Sequence, residues 1–193
     1  DYFTSPSAHP LFGALIAVQL EQMWELLDRP PCFTVLELGS GSGILLRDVL
    51  AYSAYLDRSF SDSLLVVALD HNLPDFLENG QINWVVGHNV PFRGVVGCIL
   101  SNELLDAFPV HRFQVRGGEV FEIYVDINDQ GFYEFLGEPS TPEIVQRLHG
   151  VLEETPGAEF QGEINLFLEP WLSEVVSALE RGFLLSIDYG GMT

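Results

Sequence analysis

Phe33-Thr34-Val35-Leu36-Glu37-Leu38-Gly39-Ser40-Gly41-Ser42-Gly43 runs an apolar strand directly into three glycines spaced two apart. Val35, Leu36 and Leu38 suit a parallel strand buried on both faces. Gly39, Gly41 and Gly43 remove every Cβ from those turn positions, so backbone N–H groups can come close to a ligand. Helical spacing resumes at Ile44, Leu45, Leu46, Val49 and Leu50. Strand, glycine loop and helix start, in that order, open a Rossmann-like βαβ unit. A glycine-rich turn that only packs a helix on a strand has the same local look.

Which nucleotide the loop takes follows from its spacing. A dinucleotide fingerprint, G-x-G-x-x-G, requires glycine at position 44, where Ile44 stands. Glu37, two residues before the first glycine, instead matches the E/D-x-G-x-G-x-G loop of S-adenosyl-L-methionine (SAM) methyltransferases. Gly39, Gly41 and Gly43 then pass beside the cofactor, and the N-terminus of the next helix faces its carboxylate. Asp70 follows the apolar run Leu64–Leu69, 27 residues after Gly43. A carboxylate at that strand end accepts hydrogen bonds from both ribose hydroxyls. Glu37 orients the loop or meets the SAM ammonium. His88-Asn89 stands where an adenine contact or a plain surface turn would lie.

Outward from the loop, the chain alternates helices and strands. Helical spacing covers Leu11 to Leu27 and stops at Pro30-Pro31. Apolar strands follow at 33–38, 64–69, 82–87 and 95–100, with helical segments between the first two and at 72–79. This is the pattern of a parallel α/β sheet with right-handed crossovers. Residues 111–136 then read as an inserted antiparallel β-meander, with turns at Gly117-Gly118 and around Asn128–Gly131. Thr141-Pro142-Glu143 starts a helix as N-cap, first-position proline and first-turn acid. Another helix over about 170–181 leads to a fifth parallel strand at 183–188. The expected fold is one α/β domain over 1–193, with a Rossmann-like class I SAM-methyltransferase sheet. Such a sheet ordinarily carries two further strands, so the sequence reads as part of a longer protein, its C-terminal strands missing.

Charge narrows the partners. Eight Lys+Arg stand against 28 Asp+Glu, a formal net charge of −20. Almost nothing is left to neutralise phosphates, which argues against nucleic acid and against an anionic membrane surface. A basic partner is compatible, although excess acid also serves solubility. The two cysteines, Cys32 and Cys98, form no C-x-x-C pair, and the five histidines show no ligand spacing, so no metal is expected. No apolar run reaches the roughly 18 residues of a membrane span.

Four segments together resemble the MidA family, which includes the mitochondrial complex I assembly methyltransferase. They are Asp1–Pro6 with Leu11-Phe12-Gly13, Glu37–Gly43, Ser101-Asn102-Glu103-Leu104-Leu105-Asp106-Ala107-Phe108-Pro109-Val110, and Ile187-Asp188-Tyr189-Gly190. The third is the most specific, since generic methyltransferases lack it. Two departures stand out: the family's N-terminal helical region and C-terminal portion are absent. In addition, the second strand ends Leu69-Asp70-His71-Asn72 where the family has Glu, a small residue and Ser.

The resemblance implies SAM-dependent methylation of a protein arginine, with eukaryotic members acting on a complex I subunit. An arginine guanidinium stays protonated in water. Carboxylates that hold it bidentately bias its charge away from the attacking nitrogen. Glu103 and Asp106 are the expected clamp, with Asn102 hydrogen-bonding nearby. Their i, i+3 spacing shares one face if a helical turn forms there. N-capping by Asn102 or Asp106 is the structural alternative. Asp188 and Tyr189 line the same cleft, and Ser5 with Thr4 folds over SAM or caps a helix. The competing readings are a class I methyltransferase for a small molecule and a non-catalytic SAM-binding assembly factor. The compartment is the bacterial cytoplasm or, in a eukaryote, the mitochondrion.

Overall fold

β1 (Phe33–Leu38) is the strand on which the rest is assembled, as a computed structural model describing residues 9–74 and 80–190 shows. Parallel neighbours cover both its edges. Val35 lies opposite Val66 of β2 (Leu64–Asp70) on one side and Cys98 of β4 (Val95–Asn102) on the other. β3 (Ile82–Val86) extends the sheet beyond β2, and β9 (Leu179–Ile187) beyond β4, giving the order β3-β2-β1-β4-β9. All four pairings are parallel, and the order reverses direction between β1 and β4. In open α/β sheets ligands bind at the carboxyl ends beside such a reversal.

Alternation along the strands sends side chains to two faces, both apolar. Val35, Val66, Ala68, Cys98 and Leu100 pack beneath α1 (Leu11–Leu26), α2 (Ile44–Ser53) and α3 (Arg58–Ser63), where Leu20, Leu46, Val49 and Phe60 are fully buried. Leu36, Leu38, Val67, Leu69 and Ile99 pack on the opposite face against Val175 and Ala178 of α5 (Leu168–Ala178). Each buried Val, Leu, Ile or Phe among them contributes about 1.5–3 kcal/mol of burial energy. Trp24 is buried, and Trp84 and Trp171 pack on the rims of the two clusters, as core aromatics would.

The chain divides into two compact units, one containing residues up to Ala107 and from Trp171 onward, the other Phe108 to Pro170. In the second, β5 (His111–Arg116), β6 (Glu119–Asn128), β7 (Gly131–Gly137) and β8 (Phe160–Ile164) form an antiparallel sheet in the order β7-β6-β5-β8. Gly117 and Gly118 close the first hairpin with φ of 58° and 83°, the left-handed pair that a two-residue turn requires. α4 (Pro142–Glu154) starts where the Thr-Pro-Glu signal places it, with Thr141 Oγ1 accepting from Glu143 N at 3.4 Å. Ile144 and Leu148 pack on Phe113 and Val115.

Three differences from the sequence reading have local causes. β8 has no strand signal of its own, because Gly162 sits at its centre. A Cβ there would come within 3.1 Å of the Phe113 ring. The last helix stops at Ala178, so the fifth parallel strand starts at Leu179 rather than 183. The helix expected over 72–79 is absent from 72–74, and 75–79 lie outside the described residues. Among the described residues no helix is long and apolar enough to cross a membrane.

Candidate active site

The glycine loop leaves β1 at the carboxyl edge, beside the reversal in strand order. Gly39, Gly41 and Gly43 all take left-handed φ, 69°, 53° and 70°. Gly43 also admits the Trp84 ring, which a Cβ would meet at 2.6 Å. In one respect the loop differs from the sequence expectation: its N–H groups are not held out for a ligand. Gly39 N and Ser40 N donate to Leu69 O at 2.9 and 3.3 Å, and Gly43 N donates to Ser40 O at 2.8 Å. Gly41 N donates to Asp70 Oδ2 at 2.8 Å. A pyrophosphate needs such donors, and here they are spent.

What remains is acceptor-rich. Glu37 is 4% exposed, and its Oε2 has no hydrogen-bond partner; neither has the buried Ser40 Oγ. Burial pushes the Glu37 carboxyl up to about 8, and the nearby charge of Asp70 adds to the effect. Such a group awaits a cation or donor to satisfy it. A Cβ on Gly41 would meet nothing within 4 Å, so the loop crest is open, and α2 begins without a side-chain cap. Oxygens for an ammonium, uncapped helix N–H groups for a carboxylate, and a close-approach glycine between them fit the amino-acid tail of SAM.

Asp70 ends β2 as expected but is already engaged, accepting from Gly41 N and, through Oδ1, from Asn72 N at 3.1 Å. A carboxylate has about four lone-pair sites, so two remain for ribose hydroxyls. His88 is exposed and meets His71 edge-on, ring centroids 4.3 Å apart.

Asn102 to Asp106 leave β4 on the other side of the reversal. No helical turn forms there; Glu103 instead takes a left-handed φ of 49°. The i, i+3 argument for a shared face and the N-capping alternative both lapse with the helix. The turn is held from β9: Glu103 N donates to Ile187 O at 2.8 Å. Leu105 N and Asp106 N donate to Asp188 Oδ2 at 2.9 and 3.2 Å. Tyr189 OH donates to Asp106 Oδ2 at 2.6 Å. Asn102 Oδ1 is buried without a partner. Leu104 reaches across to Gly39, where a Cβ would meet its Cδ1 at 2.8 Å, so this turn and the glycine loop adjoin. Ser5 lies outside the described residues, as does Thr4. Ser40 was not singled out from sequence, since a loop serine carries no signal of its burial.

A family model described as "Putative S-adenosyl-L-methionine-dependent methyltransferase" matches residues 15–193. The chain is 27% identical over 226 residues to the protein arginine methyltransferase NDUFAF7 homolog of Drosophila melanogaster, covering 98% of this chain and 50% of that protein. It is 25% identical over 158 residues to mitochondrial NDUFAF7 of Homo sapiens, covering 67% and 36%. A COG1565 superfamily member from Burkholderia thailandensis, bound to S-adenosyl-homocysteine, shares the fold with a TM-score of 0.75. It is 23% identical, the match covering 99% of this chain and 50% of that one. The chain thus spans about half the length, or less, of the relatives it matches.

Proposed function

This chain belongs to the family of SAM-dependent methyltransferases whose model spans residues 15–193, and from that premise we propose that it transfers a methyl group to an arginine of a protein substrate. When bound, SAM supplies an electrophilic methyl on a cationic sulfonium. Glu37 balances the ammonium of the amino-acid tail, Asp70 takes the ribose hydroxyls, and His88 stands near the adenine. Displacement at a methyl needs orientation and electrostatics more than protein covalent chemistry. In this reading Glu103 and Asp106 hold the guanidinium in a plane, and Asn102 accepts a further N–H.

The observation that supports arginine over a neutral acceptor is the turn after β4. It gathers Glu103, Asp106 and Asp188 around the Tyr189 phenol, on which the charges of all three act, and it lies beside the glycine loop. Similarity to proteins named as arginine methyltransferases supports the same reading. The mitochondrial setting stays attached to those relatives.

The test is turnover of an arginine-containing peptide by the full-length protein, read by mass spectrometry, against the same peptide with lysine. Glu103→Gln and Asp106→Asn are expected to lower arginine turnover at least about 100-fold while SAM still binds. Undiminished turnover in both variants would remove the clamp, and methylation of the lysine peptide alone would remove the acceptor class.

A further inference from the structure

We infer that Tyr189 and Asp188 are positioning residues that aim Asp106, an inference that rests on the clamp proposed above. Asp106 is an exposed side chain on a turn without helical or strand pairing of its own. Left alone, such a carboxylate samples several rotamers, and a planar guanidinium is held well only by an acceptor whose own plane is fixed.

The hydrogen bonds described above reach this turn from the last residue of β9 and the two residues after it, more than 80 residues away in sequence. Asp188 spends both oxygens on backbone groups. Oδ2 takes Leu105 N and Asp106 N, and Oδ1 takes Tyr189 N at 2.9 Å. That makes Asp188 a brace for the turn rather than a third arm of the clamp. The same bond to Tyr189 N orients the residue whose phenol reaches Asp106 Oδ2 at 2.6 Å. One phenol proton engages one carboxylate oxygen and leaves the other for the acceptor.

Tyr189 is 68% exposed, so this bond does little for the core. The phenol pKa is pushed up to about 12, first by the hydrogen bond to Asp106 and then by the charges of Asp106, Glu103 and Asp188 with some desolvation. It therefore stays a donor at any physiological pH. Glu103 pairs its strained left-handed backbone with a bond to Ile187 O, so both proposed clamp residues are set from the same strand end.

A double-mutant cycle in the full-length protein tests the inference, with Tyr189→Phe and Asp106→Ala. Tyr189→Phe is expected to lower kcat/KM for the arginine peptide about tenfold with SAM affinity unchanged, because a misaligned acceptor loses reactive geometry. In the Asp106→Ala background the same substitution is expected to change nothing further. An equal loss in both backgrounds, or none in the wild type, overturns the inference while the clamp stands.

Ultraviolet titration of Tyr189, taken as wild type minus Tyr189→Phe, reads the contact independently of turnover. The phenol is expected to stay protonated at about pH 11 in the wild type and to ionise at clearly lower pH, toward the ordinary value of about 10, in Asp106→Ala. Ionisation at the ordinary value in both overturns the contact. If Asp106→Ala leaves turnover intact, the clamp falls, and with it the positioning role, even where the titration shows the contact.

Discussion

Glu37 and Glu122 are the two buried carboxylates among the described residues, one in each unit, and their surroundings are opposite. Glu122 accepts from Ser140 N at 2.6 Å, His111 Nδ1 at 2.7 Å and Tyr124 OH at 3.0 Å. Burial alone would raise its pKa, but these donors, His111 foremost, outweigh it and carry the carboxyl down to about 2. Glu37 is just as buried, yet Oε2 has no partner and its pKa goes the other way. Burying an unsatisfied carboxylate is costly, so a chain that satisfies one so thoroughly has a reason to leave the other open. Glu122 ties β6 to His111 and Ser140 and completes a fold. Glu37 completes nothing until something cationic arrives.

Glu122→Gln would break that comparison on the structural side and carries the largest expected effect. It should cost about 3 kcal/mol in urea unfolding, with SAM affinity unchanged. The sign follows from a depressed pKa. The contribution of Glu122 is fully present above the ordinary carboxylate value and is lost as pH falls toward about 2. Wild type and variant should therefore converge on acidification. A constant gap down to pH 2 would mean that the carboxylate is not what holds this unit.

Glu37→Gln sharpens the other side. SAM affinity is expected to fall about tenfold by calorimetry, while stability moves in the opposite direction. A raised pKa means that the folded protein keeps a proton which the unfolded chain releases. The associated stability is thus present below the ordinary carboxylate pKa and fades as pH rises through about 8. The variant should match wild type in melting temperature near pH 4, pull ahead as pH rises, and exceed it by the full margin at pH 9. A variant less stable than wild type at pH 9 would give Glu37 a structural role like that of Glu122.

The smallest effect is the most direct. A cation settling beside Glu37 favours its ionised form, so SAM binding at pH 7 should release up to about one proton. Calorimetric enthalpies in buffers of differing ionisation heat would detect it. Release should vanish in Glu37→Gln and persist in Glu122→Gln, and equal release in all three proteins would detach the proton from this site.

Much of the cofactor side was legible because its signals are local. Three glycines in alternation after an apolar strand need φ values that few other residues adopt, and all three adopt them. Thr141-Pro142 and Gly117-Gly118 likewise act within a few residues. The acceptor side was legible only in composition. Glu103 and Asp106 were visible as carboxylates, but their common orientation was expected from a helical turn that does not form. The actual restraint, Asp188 gripping Leu105 N and Asp106 N, joins positions 82 and 83 residues apart and depends on β9 pairing with β4. The spent N–H groups of Gly39, Ser40 and Gly41 were hidden for the same reason, since Leu69 and Asp70 supply their acceptors from the neighbouring strand.

The sequence by itself determined the strand–loop–helix unit, its preference for SAM over a dinucleotide, and the alternation that builds a parallel sheet. These rest on backbone sterics and periodicity, which act within one or two turns of chain. Only the tertiary structure decided which buried carboxylate is satisfied, which loop donors are spent and which strand braces the turn after β4. Hydrogen-bond partners across a parallel sheet are set by register, and register is a property of packing between segments far apart in the chain.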